Sequence, residues 1–428
     1  MGSGYGGHFL ITEYREAATP QSSLTREEYP VPTAATMQTA GGTQQSTKNG
    51  KSAQNVQPIV PFIRASMEHR EPCGIDVTRQ LVTSGAQDLG VFDIPAYGYI
   101  RSIVIVVTAT GGGTGSPAVY EDAPFSILQN IALTEPNGAV IAQFNSGYEL
   151  YLANKWGGYA HPLGADARMA PTTSIDANGN CTFALRIPIE LSGRDGLGAL
   201  PNQNAAATFK LRLSLASGAG AATGPYYTTA PTVQPTVRVQ VYLEAWDQPE
   251  VAVAGMTNQV TPPAMNTTQF WSAQIYNVGA GMQTVRLTRV GNYIRNLIFI
   301  HRRAAGTRVN GQTDWPDPMS LFLDARAVDT ASKLLLQEQM FRRSGFGARA
   351  QYSAVTVAET KDAAGSLDSG VFVYDMTHEF DQSIGQENRD LWLPTLGSTR
   401  LELQGSFANA GVLTVLTNDV AIAGPVFL

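Results

Sequence analysis

Two stretches of the chain, GYIRSIVIVV at residues 98–107 and NYIRNLIFIH at residues 292–301, are nearly the same segment written twice. They are related by an offset of 194 in the numbering. In both, Tyr-Ile-Arg leads into a run of large aliphatic side chains, which is typical of a buried β-strand. The repeat predicts that the chain contains two copies of one β-rich unit.

Other parts of the chain repeat with nearly the same spacing. Four further pairs of segments align: 85–86 with 279–280, 124–127 with 318–321, 200–201 with 393–394, and 209–213 with 399–403. The first two pairs keep the offset of the repeated strand, and the last two pairs have slightly smaller offsets. An offset that is constant at first and changes slowly later is expected of a duplicated domain after loop insertions and deletions. A period this long is too large for a solenoid repeat, so we expect two whole domains.

Composition limits the classes of protein that this chain can be. Its 428 residues favour two or three domains, and 43% hydrophobic residues suffice for substantial cores. The net charge of −6 lacks the basic field of a nucleic-acid-coating protein, and we expect no sequence-specific nucleic-acid partner. The two cysteines, Cys73 and Cys181, are too few for a disulfide framework. We expect two reduced structural thiols, with one bridge as the alternative.

The N-terminal region differs from the rest of the chain. Residues 1–70 include TAATMQTAGGTQQSTKNGKSAQNVQP, from Thr33, which has almost no large apolar side chains. Such a segment cannot bury enough surface to offset its ordering entropy, so it is predicted to be an extended arm. HFLITEYREA, from His8, and IVPFIRA, from Ile59, are the segments that could anchor it. The start of the chain does not have the pattern of a secretory signal and no apolar run is long enough to span a membrane, so folding in a cytoplasm is expected.

The remainder reads as an all-β protein. Short runs with strand character alternate with Gly, Pro, Asn and Asp clusters: GVFDI, YIRSIVIVV, GAVIAQF, CTFALRIPIEL, ATFKLRLSL and TVRVQVYLEAW. In ATFKLRLSL the apolar side chains of residues 209, 211, 213 and 215 alternate with polar ones, which predicts a sheet with one wet face. DANGNC, from Asp176, predicts a hairpin turn rather than a calcium loop, because no carboxylate stands at the required end position.

The predicted fold is two tandem eight-stranded jelly rolls, at residues 71–250 and 251–428, after an arm at residues 1–70. Each copy contains one helical segment after its Pro-x-Ser-aliphatic element, SGYELYLANKWGG in the first and VDTASKLLLQEQMFRRSGFG in the second. In the second, Asp329 or Thr330 is the expected cap, and Gly345 the expected stop. The expected apolar stripe comprises Leu334, Leu335, Met340 and Phe341. A helix between strands favours a jelly roll over an immunoglobulin-like sandwich.

Three stretches carry a resemblance to a known family: FDIPAYGYIRSIVIVVTAT, RIPIELSGRDGLGALPNQNAAATFKLRLSLASG and VRVQVYLEAWDQP. With the duplication and the helical segment, residues 75–428 resemble the double jelly-roll major capsid proteins of tailless icosahedral viruses with an internal membrane. The resemblance is to the tectivirus type, of the PRD1–adenovirus lineage.

The resemblance implies a structural subunit of the virion shell that is not an enzyme and needs no cofactor. Three subunits would form a homotrimer whose six rolls give a pseudo-hexagonal capsomer, and trimers would then contact one another, penton or vertex proteins and minor capsid proteins. It also implies that the arm lies beneath the trimer, touching neighbours, the internal membrane or its proteins. The loops from Thr108 and Ser217, rich in small residues, would face outward as a modest tower.

Candidate chemical sites are weak by comparison. GGGTGS, from Gly111, lacks the Lys-Ser/Thr of a phosphate-binding loop, and the five histidines show no ligand spacing. In VYDMTHEFDQ a strand would place Asp375, Thr377, Glu379 and Asp381 on one face, which fits either a carboxylate pair of a glycosidase or a solvated strand end. The five tryptophans fit either a sugar platform or buried anchors. We therefore predict no catalytic, cofactor or metal residues.

Other functions fit the same sequence pattern. A tandem jelly-roll protein that binds carbohydrate or a receptor, or that hydrolyses glycans, is the first alternative. A minor capsid or vertex protein of the same lineage is the second. Size in solution separates the main hypothesis, a trimer, from a monomer that binds or cleaves a polysaccharide.

Overall fold

A computed structural model of the chain describes residues 59–159, 173–221, 225–263, 265, 267–309, 314–344, 368–377 and 389–422. The arm as far as residue 58, including HFLITEYREA, lies outside these residues. The last part of the arm lies inside them, and IVPFIRA is anchored. Its first two residues, Ile59 and Val60, pair in parallel with Thr257 and Asn258. Phe62 is buried against Tyr99 and Trp246.

The first half contains thirteen described strands and two helices: β1 (Ile59–Val60), α1 (Phe62–Ala65), β2 (Glu68–Gln80), β3 (Gln87–Asp93), β4 (Tyr99–Thr110), β5 (Ala118–Val119), β6 (Leu128–Thr134), β7 (Val140–Ser146), α2 (Gly147–Trp156), β8 (Ser174–Ile175), β9 (Cys181–Pro188), β10 (Leu200–Pro201), β11 (Lys210–Leu215), β12 (Tyr227–Thr229) and β13 (Thr236–Trp246).

The second half contains eleven described strands and one helix: β14 (Ala252–Val253), β15 (Met256–Asn258), β16 (Thr268–Val278), β17 (Gly281–Leu287), β18 (Tyr293–Arg303), β19 (Met319–Leu323), β20 (Arg326–Ala331), α3 (Lys333–Ser344), β21 (Val371–Asp375), β22 (Leu393–Pro394), β23 (Leu401–Phe407) and β24 (Gly411–Ala421). Single-turn 3-10 helices lie at Phe125–Ile127 and Arg389–Leu391.

Each half is a jelly roll built from two four-stranded antiparallel sheets. In the first roll the sheets have the strand orders β2-β13-β4-β9 and β3-β11-β6-β7. In the second roll the orders are β16-β24-β18-β21 and β17-β23-β19-β20. The two rolls therefore match strand for strand, with α2 and α3 at the same point of the chain path. The prediction of two tandem eight-stranded jelly rolls is confirmed.

The register of the strands matches as well as their order. Tyr99 pairs with Pro201, and Tyr293 pairs with Pro394. The sequence repeat aligns the two prolines just as it aligns the two tyrosines. The repeated segments are β4 and β18, each the third of the eight jelly-roll strands in chain order, and each lies in the interior of its sheet.

The alternation in ATFKLRLSL positions β11 as predicted, with one exception. Phe209, Leu211, Leu213 and Leu215 are buried, whereas Lys210 and Arg212 are exposed. Ser214 is buried although it was expected on the wet face. The pairing register of β11 shifts between Leu213 and Ser214, and a bulge of this kind re-aims the side chain that follows it.

The helix of the second roll begins later than the sequence predicts. Asp329 and Thr330, the expected caps, belong to β20, and the Ser332 hydroxyl accepts a hydrogen bond from the Leu335 N–H at the start of α3 instead. Leu336 and Met340 are buried, but Leu334 and Leu335 are exposed, so the predicted apolar stripe is only partly right. The Phe341 side chain and Gly345 lie outside the described residues.

Candidate functional site: the junction between the two rolls

The two rolls are joined through the strands β7 and β16. These strands run parallel, and Trp271 of β16 pairs with Ala142 of β7. One continuous sheet therefore runs from the second roll into the first, in the order β21-β18-β24-β16-β7-β6-β11-β3. The Trp271 ring is buried at this seam, 6.0 Å from the ring of Phe144. The seam fixes the direction of one roll relative to the other.

Helix α2 belongs to the first roll and is buried along its whole length. Its last turn is held by a buried ion pair, in which Lys155 Nζ lies 2.9 Å from Asp368 Oδ2 of the second roll. The Tyr151 hydroxyl and the Trp156 indole N–H also donate to Asp368. The Asn296 amide of β18 donates to the Trp156 carbonyl oxygen. Satisfied partners of this kind are what allow charges to be buried without a large penalty.

A second charged cluster lies at the other end of the junction. Arg302, near the end of β18, and Arg308, in the loop after it, both donate to Asp122 in the first roll, at 2.5 and 2.9 Å. The Arg308 guanidinium also lies 4.8 Å from the centre of the Tyr148 ring of α2. Nearby, burial raises the pKa of Glu149 to about 7, although its carboxylate accepts hydrogen bonds from Asn145.

A hydrogen-bond network continues the junction. Arg295 donates to Asn418 Oδ1 at 2.6 Å, and the Asn418 amide donates to Gln269 Oε1. The Gln269 amide in turn donates to the carbonyl oxygen of Ile189 in the first roll, at 2.9 Å. The junction thus combines apolar packing with hydrogen bonds of fixed geometry. This combination is typical of a permanent interface.

The residues singled out as candidate chemical sites behave as structural residues. All five tryptophans, at positions 156, 246, 271, 315 and 392, are buried, which fits anchors rather than a sugar platform. The strand prediction for VYDMTHEFDQ is wrong at Met376 and Thr377, because β21 ends at Asp375. The Asp375 carboxylate accepts hydrogen bonds from the Thr377 N–H and hydroxyl. Glu379 and Asp381 lie outside the described residues. The DANGNC turn is confirmed, with the Asp176 N–H donating to the Asn180 carbonyl oxygen.

The other candidate residues are placed as follows. GGGTGS follows β4 without opening a helix, and Gly113 forms an isolated bridge with Val233. His301 is buried, and that burial lowers its pKa to about 4. Cys73 and Cys181 are both buried and free, as expected for structural thiols. Within the described ranges, no three His, Cys, Asp or Glu side chains form a group that could hold a metal ion. Among the described helices, none is long and apolar enough to cross a membrane.

Comparison with solved structures identifies the architecture. The major capsid protein of STIV aligns with a TM-score of 0.53 and 14% identity, over 83% of this chain and 97% of that one. A chain of the Sulfolobus turreted icosahedral virus particle aligns at 0.51 and 14%, over 82% and 91%. The chain has the double jelly-roll fold. The major capsid protein P2 from bacteriophage PM2 aligns at 0.47 and 9%, over 84% of this double jelly-roll chain and 99% of that one.

The two alignments with TM-scores above 0.5 confirm, at the level of the fold, the resemblance to double jelly-roll capsid proteins that the sequence shows. No family model and no curated protein matches the chain significantly. The sequence did not reveal the junction of the double jelly roll. The one available signal was the composition of α2. Its tyrosines, leucines and tryptophan are distributed over all sides of the helix, together with one lysine, and this distribution is typical of a buried helix.

Proposed function

We propose that the protein is the major capsid protein of an icosahedral virus and a structural subunit of the virion shell. The observation that carries this proposal is the strand-for-strand correspondence of two rolls fixed by one interface. Solved structures that share the fold over more than four fifths of this chain include viral capsid proteins, which supports the proposal. A shell subunit needs rigid, repeated interfaces and no reaction chemistry, and the buried junction fits that need.

Trimerisation would explain why the chain carries two equal rolls. A closed three-fold ring of two-roll subunits contains six rolls, which gives a capsomer with a nearly hexagonal outline. Hexagonal tiles can cover a closed shell, with penton or vertex proteins at the five-fold positions. Minor capsid proteins would bind between the capsomers. We propose that assembly takes place in the cytoplasm of the host.

The proposed division of the chain is an arm at residues 1–70 and rolls at residues 71–250 and 251–428. The arm would set the local geometry of the shell from beneath the trimer, contacting neighbouring subunits, an internal membrane or its proteins. The small sheet of β1, β15 and β14, where the arm leaves the described residues, supports this role. It exposes apolar side chains, including those of Ile59, Val253 and Met256, to a partner.

The proposal is tested by the mass and outline of the purified protein. Light scattering after size exclusion should give three times the 45.7 kDa mass of the chain. Negative-stain images should show particles with a hexagonal outline. A species of 45.7 kDa that stays monomeric at high concentration and binds or cleaves a polysaccharide would contradict the proposal and favour a carbohydrate-active protein.

A further inference from the structure

The two rolls differ in how their equivalent outer faces are covered. In the second roll, the outer face of the sheet β16-β24-β18-β21 packs against the first roll and its helix α2. Five apolar side chains of that face, on β18, β21 and β24, are buried: Ile298, Ile300, Val371, Val373 and Leu416. This face is therefore part of the junction, and an isolated second roll would expose it to water.

The strand register identifies the equivalent positions on the first roll. Val373 pairs with Ile298 in the second roll, as Arg186 pairs with Val104 in the first. The complete set of counterparts on the face of β2-β13-β4-β9 is Val104, Val106, Ala184, Arg186 and Tyr242. None of these five is buried within the subunit, and the Arg186 side chain is 44% exposed. The same surface is covered in one roll and open in the other.

The helices show the reverse difference. A serine precedes each helix, Ser146 before α2 and Ser332 before α3, and this aligns Tyr148 with Leu334 and Glu149 with Leu335. The α2 positions face the second roll: Tyr148 lies under Arg308, and the Arg302 charge acts on the Glu149 carboxyl.

At the matching positions of α3, nothing in the described subunit covers the leucines. Leu334 is 70% exposed and Leu335 is 45% exposed. Leu150 and Leu336, which also correspond, are both buried against their own roll, and this agreement supports the alignment.

We propose that these two open surfaces bind each other between copies of the chain. The face of β2-β13-β4-β9 on one subunit would receive α3 of a second subunit, as the second roll receives α2 within the chain. Leu334 and Leu335 would then lie against Val106 and Thr108, since Thr108 is the register counterpart of Arg302. This inference rests on the proposed homotrimer and names its interface. If this contact repeats around the trimer, every roll has its outer face covered by the helix of the neighbouring roll.

The receiving face is more polar than its covered counterpart. Glu244 accepts from Arg186 and Arg70, and Arg238 and Asp76 form a further ion pair, so the half-exposed valines are surrounded by charges. A subunit folds as a monomer before it assembles, so its receiving face is then exposed to water. If that face had the Ile, Val and Leu composition of the covered face of the second roll, the free subunit would aggregate. The charged rim keeps the free subunit soluble, and it would give the contact between copies its salt dependence.

Cross-linking between introduced cysteines tests the contact directly. In Leu335→Cys/Thr108→Cys protein, a short bismaleimide should join subunits, so that denaturing gels show dimer and trimer bands in place of most of the monomer. The wild-type protein is the first control, because Cys73 and Cys181 are buried. Leu335→Cys/Val91→Cys is the second, since Val91 is exposed on β3 and its counterpart Arg286 on β17 is exposed too.

A substitution on the receiving face separates the possible outcomes. Val106→Glu should shift the mass from that of the trimer towards the 45.7 kDa of the monomer, whereas Val91→Glu should leave the trimer intact. A wild-type trimer that neither cross-links at the 335/108 pair nor dissociates with Val106→Glu would overturn this inference and leave the proposed function standing. A wild-type protein that is monomeric would overturn both.

Discussion

The Lys155–Asp368 pair shows how much the junction depends on single residues. Both side chains are fully buried, so removing one of them leaves the other charge buried without its ion-pair partner. Lys155→Met should lower the free energy of unfolding by about 3–5 kcal/mol, and the double variant Lys155→Met/Asp368→Leu by less. Urea denaturation of each variant measures the difference.

The exposed pair Lys210–Asp93 is the matched control for that measurement. Its side chains are about half exposed, so water and salt screen the interaction and Lys210→Met should change the stability far less than Lys155→Met. If Lys155→Met and Lys210→Met lowered the free energy of unfolding equally, the junction pair would contribute no more to stability than an exposed pair.

Glu149 should make the stability of the protein depend on pH. Burial raises its pKa from about 4.5 to about 7 in the folded state, so folding favours the protonated acid. This contribution is fully present below about pH 4.5, decreases as the pH rises, and is lost above about pH 7. Glu149→Gln keeps the side chain neutral. Between pH 5 and 8 the variant should therefore gain stability relative to the wild type, on the order of 2–3 kcal/mol.

Urea titrations of both proteins at several pH values check this dependence. His301 acts in the opposite direction, because burial lowers its pKa to about 4 and stability is lost as the pH falls below about 6.5. The comparison must therefore be made as a difference between Glu149→Gln and the wild type, in which the His301 contribution cancels. A difference that stays constant from pH 5 to 8 would contradict the prediction.

At the scale of elements, local patterns predicted most of the fold. The strands β4, β11 and β18 could be predicted from their own sequences, through the alternation in β11 and the repeated apolar segments of β4 and β18. The start of α3 was misplaced because Asp329 and Thr330 are good caps in isolation, but strand pairing of β20 with β19 competes for the same residues. Here a tertiary contact, rather than local helix-capping propensity, determines the structure of these residues.

The junction was not predictable by the same reasoning. Lys155 and Asp368 lie far apart in the sequence, in different halves of the chain, and nothing in the neighbourhood of either residue marks it as half of a buried pair. Periodicity identifies which side of an element is apolar but does not identify the partner that covers it. For α3 the pattern placed Leu334 and Leu335 on the apolar stripe, yet both are exposed in the subunit and Leu336 is the buried leucine.

The two sides of α3 should respond differently to truncation. Leu336→Ala removes a buried side chain and should cost about 2–5 kcal/mol of stability. Leu334→Ala changes an exposed position and should cost about 0.5 kcal/mol or less in the subunit. Thermal unfolding, measured at a concentration where both variants are monomeric, makes the comparison. A larger loss for Leu334→Ala would show that α3 packs the other way round.

At the scale of the whole molecule, the junction should make the two rolls unfold as one unit. Domains that share a small polar interface open independently, whereas a continuous sheet, a fully buried helix and buried ion pairs couple them. Hydrogen exchange followed by mass spectrometry should therefore give equal opening free energies for peptides from β4 and β18, the equivalent central strands. In Lys155→Met protein this equality should break, because the coupling is weakened while each core is intact. Faster exchange in β18 than in β4 of the wild-type protein would mean that the rolls open independently, and a rigid two-roll tile could not be built from such a chain.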